Sequence, residues 1–160
     1  MKKIVIIFSC FLIIGCSRID YGIANLYEKG YLGKPQYPEI INWYSKAAER
    51  GYAPAQTWLA YSYTSVKDSP GYNVSKGIYW ATKAAEQGHT PAQLFLSHAY
   101  QFGIGVPQDM TNFYKWFYIA KLNGDMFAKT NDAAIQKKLT IEQIANGKKL
   151  AMEWQETHHF

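Results

Sequence analysis

Apolar and polar positions along this chain follow a helical period, and they do so three times over. Phe113, Trp116, Phe117 and Ala120 fall at i, i+3, i+4 and i+7, which is one face of an α-helix. The same face returns as Ile40, Trp43, Tyr44 and Ala47, and as Gly77, Trp80, Ala81 and Ala84. Bulk sits mainly at the start of each stretch and alanine near its end. The alanines let a neighbouring helix approach closely, while the tryptophans fill the space between units. Gly51, Gly88 and Gly124 then stop the helices, at a position where a left-handed residue costs glycine least. The tryptophans lie 37 and 36 residues apart, and the glycines keep the same steps. A fixed period in this range predicts stacked supersecondary units instead of a single globular core.

A second helix follows each glycine. Pro54 and Pro91 fall in the first turn, where a missing N–H does no harm. Leu59-Ala60-x-x-Tyr63 aligns with Leu96-Ser97-x-x-Tyr100, and the same step backwards reaches Ile23-Ala24-x-x-Tyr27. From tyrosine to tryptophan the spacing is sixteen, seventeen and sixteen residues, so the middle unit carries one extra loop residue. Asp109 is placed to cap the helix after the loop Gly103-Ile-Gly105-Val106-Pro107-Gln108. The loops at Gly33–Pro38 and Lys67–Tyr72 have a different composition. Beyond Gly124 the repeat decays. Phe127-Ala128-Lys129 starts another first helix, with Ala128 in register with Ala92, and Thr140-Ile-Glu-Gln143 reads as a capping box. The last helix carries Ile141, Ile144, Ala145, Leu150, Ala151 and Trp154 on an otherwise polar background, the pattern of a terminal cap. Glu156–Phe160 is expected to fray.

These motifs reach a family. Ala-Gln-x-x-Leu-(small)-x-x-Tyr, Gly-x-Gly-Val-x-x-Asp and Trp-x-x-x-Ala-Ala-x-x-Gly together resemble the Sel1-like repeat, a relative of the tetratricopeptide repeat. The resemblance covers about residues 18–124. It implies an all-α fold: an α-solenoid of about three helix-turn-helix repeats plus a C-terminal capping helix pair. The units are expected at about 19–51, 52–88 and 89–124 within a repeat domain at 19–157, with a cap at 125–157.

The first residues carry a different signal. Lys2 and Lys3 precede an apolar run, Ile4 to Ile14, that has the length of a signal-peptide core and is short for a membrane span. It ends Leu12-Ile13-Ile14-Gly15-Cys16-Ser17, which resembles a bacterial lipoprotein signal. That resemblance implies a signal peptide at 1–15, lipidation of Cys16 and a very short tether at 16–18. Two or more acyl chains on one residue give stable anchoring. Ser17 after the cysteine implies export to the outer membrane. The expected location is thus the periplasmic side of the envelope, lipid-anchored. On this reading Cys10 is lost with the signal peptide, and no mature cysteine is left for a disulfide, a nucleophile or zinc. Stability then rests on packing, to which 13 Tyr, 8 Phe and 5 Trp contribute.

The formal charge is +5, from 17 basic and 12 acidic side chains, and the basic residues are scattered. A nucleic-acid footprint is a clustered stripe, so no nucleic-acid partner is expected. Chemistry is equally sparse. His89, His98, His158 and His159 sit in no metal-spaced motif, and no Gly-x-Ser-x-Gly elbow occurs. Gly103-x-Gly105 lacks the Lys-Ser/Thr of a phosphate loop and reads as the repeat's own turn. No enzyme, cofactor or metal is expected.

Binding is better supported, because some residues are not dictated by the repeat. Trp58 is matched by Phe95 and Tyr61 by His98, with Gly22 and Asn25 at the equivalent first-unit positions. Residues three apart share a helix face. First helices of stacked pairs line the concave surface, so Asn25, Trp58, Tyr61, Phe95 and His98 are the expected partner-binding residues. Exposed Trp and Tyr are frequent hot spots. Burial of Trp58 and Phe95 between units is the competing expectation. Sel1-like lipoproteins of this size resemble immunity proteins that neutralise secreted antibacterial effectors such as type VI phospholipases. The alternatives are an envelope adaptor in assembly or signalling, and a hydrolase acting on the cell wall or β-lactams. Sel1-like proteins linked to β-lactams resemble cysteine-rich chains, unlike this one.

Overall fold

The computed structural model describes residues 2–31, 37–65 and 71–158, with side chains from residue 15 onward apart from Tyr37. The expected loop irregularities at 33–36 and 67–70 lie outside the described residues, as do His159 and Phe160. Eight α-helices and no strand form among the described residues: α1 (Lys2–Glu28), α2 (Tyr37–Glu49), α3 (Ala53–Ser65), α4 (Val74–Glu86), α5 (Thr90–Phe102), α6 (Met110–Leu122), α7 (Met126–Gln136) and α8 (Ile141–Thr157). Each helix from α1 to α6 packs on the next, as an α-solenoid requires. No helix among the described residues is long and apolar enough to cross a membrane. α1 carries the helix without a break past Cys16 into the first unit.

The periodic face is the buried face. Ile40, Tyr44 and Ala47 are buried in α2, Gly77, Ala81 and Ala84 in α4, and Phe113, Trp116, Phe117 and Ala120 in α6. Trp80, at the middle of the array, packs against both the first-unit cluster and the central cluster. The helix stops at Gly51, Gly88 and Gly124 all have positive φ. In the third-unit loop, Gly105 combines φ +71° with a close approach to α4. A Cβ there would lie 2.4 Å from Val74 Cγ1. The loop can take no larger residue, which makes it a packing turn.

A polar ladder explains the Ala-Gln pair of each unit. Gln56 and Gln93 are buried, yet neither leaves its amide unpaired. Gln56 donates to the Ala48 carbonyl and Gln93 to the Ala85 carbonyl, near the end of the preceding helix. Each also accepts from the residue that ends its own unit's second helix, Gln56 from Gln87 and Gln93 from Asn123. Gln155 of α8 adds a last rung by donating to Asn123. A buried amide costs free energy unless it is hydrogen-bonded, so these rungs hold the stacking register.

The two helices after Gly124 part company. α7 continues the stack, with Ala128 buried against α6. α8 packs along α6 instead of pairing with α7. Gly147 makes this possible: a Cβ there would meet the ring of Tyr114 and the backbone of Thr111 and Lys115 at 3.0–3.2 Å. Trp154 meets Trp116 edge-on at 5.8 Å. Thr140 and Gln143 form the expected capping box. Two expectations for this helix are corrected. Ile141 is 88% exposed and Ala145 is exposed, so the packed face runs through Ile144, Gly147, Ala151 and Trp154. The end does not fray at Glu156 either, because α8 extends to Thr157 and the His158 ring stacks on Trp154 at 4.4 Å.

An aromatic cleft as the candidate partner-binding site

The first helices α3, α5 and α7 line a cleft of about 690 Å³ whose floor includes Phe113 and Phe117 of α6. Neither α3 nor α5 contains an Asp, Glu, Lys or Arg. The walls that α3 and α5 supply are therefore aromatic, aliphatic, hydroxyl, amide and imidazole, and Lys138 adds a charge from the α7 side. Clefts of this size and character are the usual form of a binding site.

The expected binding residues divide into two groups. Tyr61, Phe95 and His98 all line the cleft. Tyr61 is 48% exposed and meets Phe95 edge-on at 5.0 Å, and partial burial raises the pKa of its phenol. Phe95 is 9% exposed and sits at the bottom, so it contributes floor more than rim. The exposed His98 ring leans on Phe102 at 4.5 Å.

Asn25 and Trp58, both half-buried, lie elsewhere in a polar-aromatic cluster. Trp58 stacks on Tyr44 at 3.8 Å and donates from Nε1 to Glu28 at 3.3 Å. The buried Tyr44 hydroxyl donates to Glu28 at 2.8 Å and to Asn25 Oδ1 at 3.3 Å. Burial, with the Glu28 carboxylate beside it, pushes the Tyr44 phenol far above its ordinary range. Asn25 also donates to the Tyr21 carbonyl. These residues tie α1, α2 and α3 together. An ion pair between Asp20 and Arg50 adds a second tie between α1 and the end of α2.

On the α7 side Phe127, Asn131, Ala134, Ile135 and Lys138 line the cleft, and none of them was among the expected binding residues. The repeat register could have found two of them. It places Ala128 at Ala92, hence Asn131 at Phe95 and Ala134 at His98. The cleft exists because the next rung of the aromatic ladder holds an amide and a methyl group. Its α7 wall is fixed from behind by Asp132, which accepts from Tyr114 at 2.8 Å, from Gln136 at 2.9 Å and from Lys121. Burial pushes the Asp132 carboxyl up, but these donors outweigh it and hold the group below its ordinary value.

Elsewhere the polar groups serve structure. His89 bonds Thr57 at 2.8 Å, and burial lowers its pKa. Among the described residues no three of His, Cys, Asp and Glu come close enough to share a metal ion. Cys16 is exposed, one residue before the buried Ser17.

Stacked helix pairs, buried repeat positions and an open face on the first helices define an α-solenoid of the tetratricopeptide-like class. The chain belongs to the Sel1 repeat family, whose model matches it at residues 20–52, 53–89 and 90–125. The fold is similar to a crystal structure of a Sel1 repeat protein from Oxalobacter formigenes, with a TM-score of 0.64 and 31% identity over 70% of this chain and 46% of that one. It is also similar to c5321, a protective antigen present in uropathogenic Escherichia coli strains, which displays an SLR fold. There the TM-score is 0.52 and the identity 26%, over 89% of this chain and 38% of that one. The chain thus spans less than half the length of either structure. No curated protein matches the sequence. Sel1 repeats are protein–protein interaction modules, and their solenoids are typically non-catalytic scaffolds.

Proposed function

We propose that this chain is a protein-binding module held at the periplasmic face of the cell envelope by lipid on Cys16, and that it neutralises a secreted antibacterial effector. The observation that carries the binding reading is the cleft: two first helices without a charged residue, facing a seventh helix whose ladder positions are small. Supporting the anchor are the lipoprotein-like residues Leu12–Ser17 and the exposure of Cys16 beside the packed body. An acyl group there would keep the array against the bilayer, since only Ser17 and Arg18 separate Cys16 from the repeat domain. A membrane-active effector such as a phospholipase would meet its inhibitor at the surface it attacks. The outer membrane is the proposed site, because Ser17 stands where a retention signal would place Asp.

The test is a survival assay. Where a lipase-like or secreted-toxin reading frame adjoins this gene, its product is made in the periplasm with and without the full chain, and a neighbourhood of cell-wall genes instead favours the adaptor. Survival only in the presence of the chain, lost in Cys16→Ser through reduced membrane association, supports the proposal. Equal killing with and without the chain contradicts the immunity role. A chain that co-purifies with cell-wall assembly proteins and protects against nothing would be an envelope adaptor.

A further inference from the structure

We propose that the cleft recognises a peptide segment of the partner that presents a bulky apolar side chain next to a carboxylate. This rests on the protein-binding reading above and names what the partner must bring.

The apolar half of the proposal comes from the ladder. Trp58 and Phe95 occupy successive equivalent positions, and the third equivalent is Asn131. His98 is followed in the same way by Ala134. Both smaller residues line the cleft, and around them stand Phe113, Phe117 and the 61%-exposed ring of Phe127. An incoming aromatic or large aliphatic side chain would take the place of the missing rung. It would bury apolar surface that otherwise faces water.

The carboxylate half comes from the charge census. Among the described residues no Asp or Glu lines the cleft, and the one lysine there is Lys138. Lys138 is exposed just past α7, and its ammonium makes no ion pair among the described residues. Asp132, the nearest acid on α7, is buried and already engaged by Tyr114, Lys121 and Gln136. Among the described residues an anion at this rim meets the Lys138 ammonium and no competing acid, so the local field favours an anion over a cation. Thr64, Ser65 and Gln101 also line the cleft; the Thr64 and Ser65 hydroxyls donate to backbone carbonyls of α3 and keep their lone pairs to accept from a peptide N–H.

The experiment titrates the full chain, in detergent, with a fluorescein-labelled Ser-Phe-Leu-Phe peptide carrying either a free C-terminal carboxylate or an amide. The carboxylate form should bind about threefold to fivefold more tightly, the range of one partly exposed ion pair. Lys138→Gln should bring the two peptides level without abolishing binding. Ala134→Trp, at an exposed position, should plug the cleft, leave the melting temperature in place and remove binding of both peptides. Equal binding of acid and amide, or undiminished binding by Ala134→Trp, would overturn the inference. So would displacement by palmitate of a probe that no peptide displaces, which would make the cleft a lipid site. If Ala134→Trp loses the effector in the survival assay while the peptides show no preference, the protein-binding reading stands and the carboxylate inference falls.

Discussion

The same repeat position does opposite work at the two ends of this array. In the second unit the half-buried Trp58 lies flat on Tyr44 and bonds the exposed Glu28, which ties the first two units together. In the third unit Phe95 occupies the equivalent place, opposite Ala81 instead of Tyr44, and sinks until only its edge meets Tyr61. One step later Asn131 and Ala134 fill nothing, and the cleft opens. The lesson is that a binding site on a solenoid is made by what the ladder omits as much as by what it displays. A small pair on the next first helix leaves room for a guest.

The largest effect is expected where the two ends join. Trp80 touches both core clusters, so Trp80→Ala should cost about 3–4 kcal/mol. Thermal unfolding followed by circular dichroism should show one transition at lower temperature. Two separated transitions would mean that the closed and open ends fold independently. Trp58→Ala should cost about 2–3 kcal/mol, since it uncovers the Tyr44 ring and removes a donor from Glu28. A denaturant midpoint equal to the parent's would show that the first rung is not a packing rung. Asp132→Ala should cost about 2 kcal/mol by leaving the buried Tyr114 hydroxyl without an acceptor. Its sharper consequence lies at the open end, because it frees the α7 wall. Hydrogen exchange should speed up in Met126–Gln136 and stay unchanged in α1 and α2.

A smaller effect concerns pH. His89 is held below its ordinary pKa by burial, so the folded state favours the neutral ring. That contribution is fully present above the unfolded value of about 6.5 and is lost as pH falls through the folded value. The melting temperature should therefore drop between pH 7.5 and pH 5.5, and His89→Gln should flatten the drop. A parent chain with a level profile would contradict the burial of this ring.

Much of this architecture was legible because stacking repeats its demands. Every unit needs alanine where helices touch, glycine where they stop and an amide beneath the next unit, so Ala47, Ala84 and Ala120 announce the same contact. The cleft was legible only in part. Tyr61, Phe95 and His98 stood out as aromatic departures from the repeat. Asn131 and Ala134 did not, because a missing side chain leaves no pattern of its own. Trp58 was ambiguous for a physical reason: its fate depends on Tyr44, which belongs to another unit. The turn of α8 onto α6 was hidden for the same reason, since it depends on the fit of Gly147 against Tyr114. Ile141 misled because an apolar residue in the first turn of a helix can point away from every neighbour.

The central claim is that the open end binds and the closed end supports. Calorimetric titration of the effector into Trp58→Ala and Phe127→Ser, run beside their thermal melts, tests it most directly. Phe127 is 61% exposed on the cleft wall, so Phe127→Ser should change stability by less than about 1 kcal/mol. It should weaken effector binding by about tenfold or more, as loss of an aromatic hot spot does. Trp58→Ala should melt earlier and bind as the parent does. The reverse result, with binding lost in Trp58→Ala and kept in Phe127→Ser, would place the partner on the wrong end of the array and contradict the account.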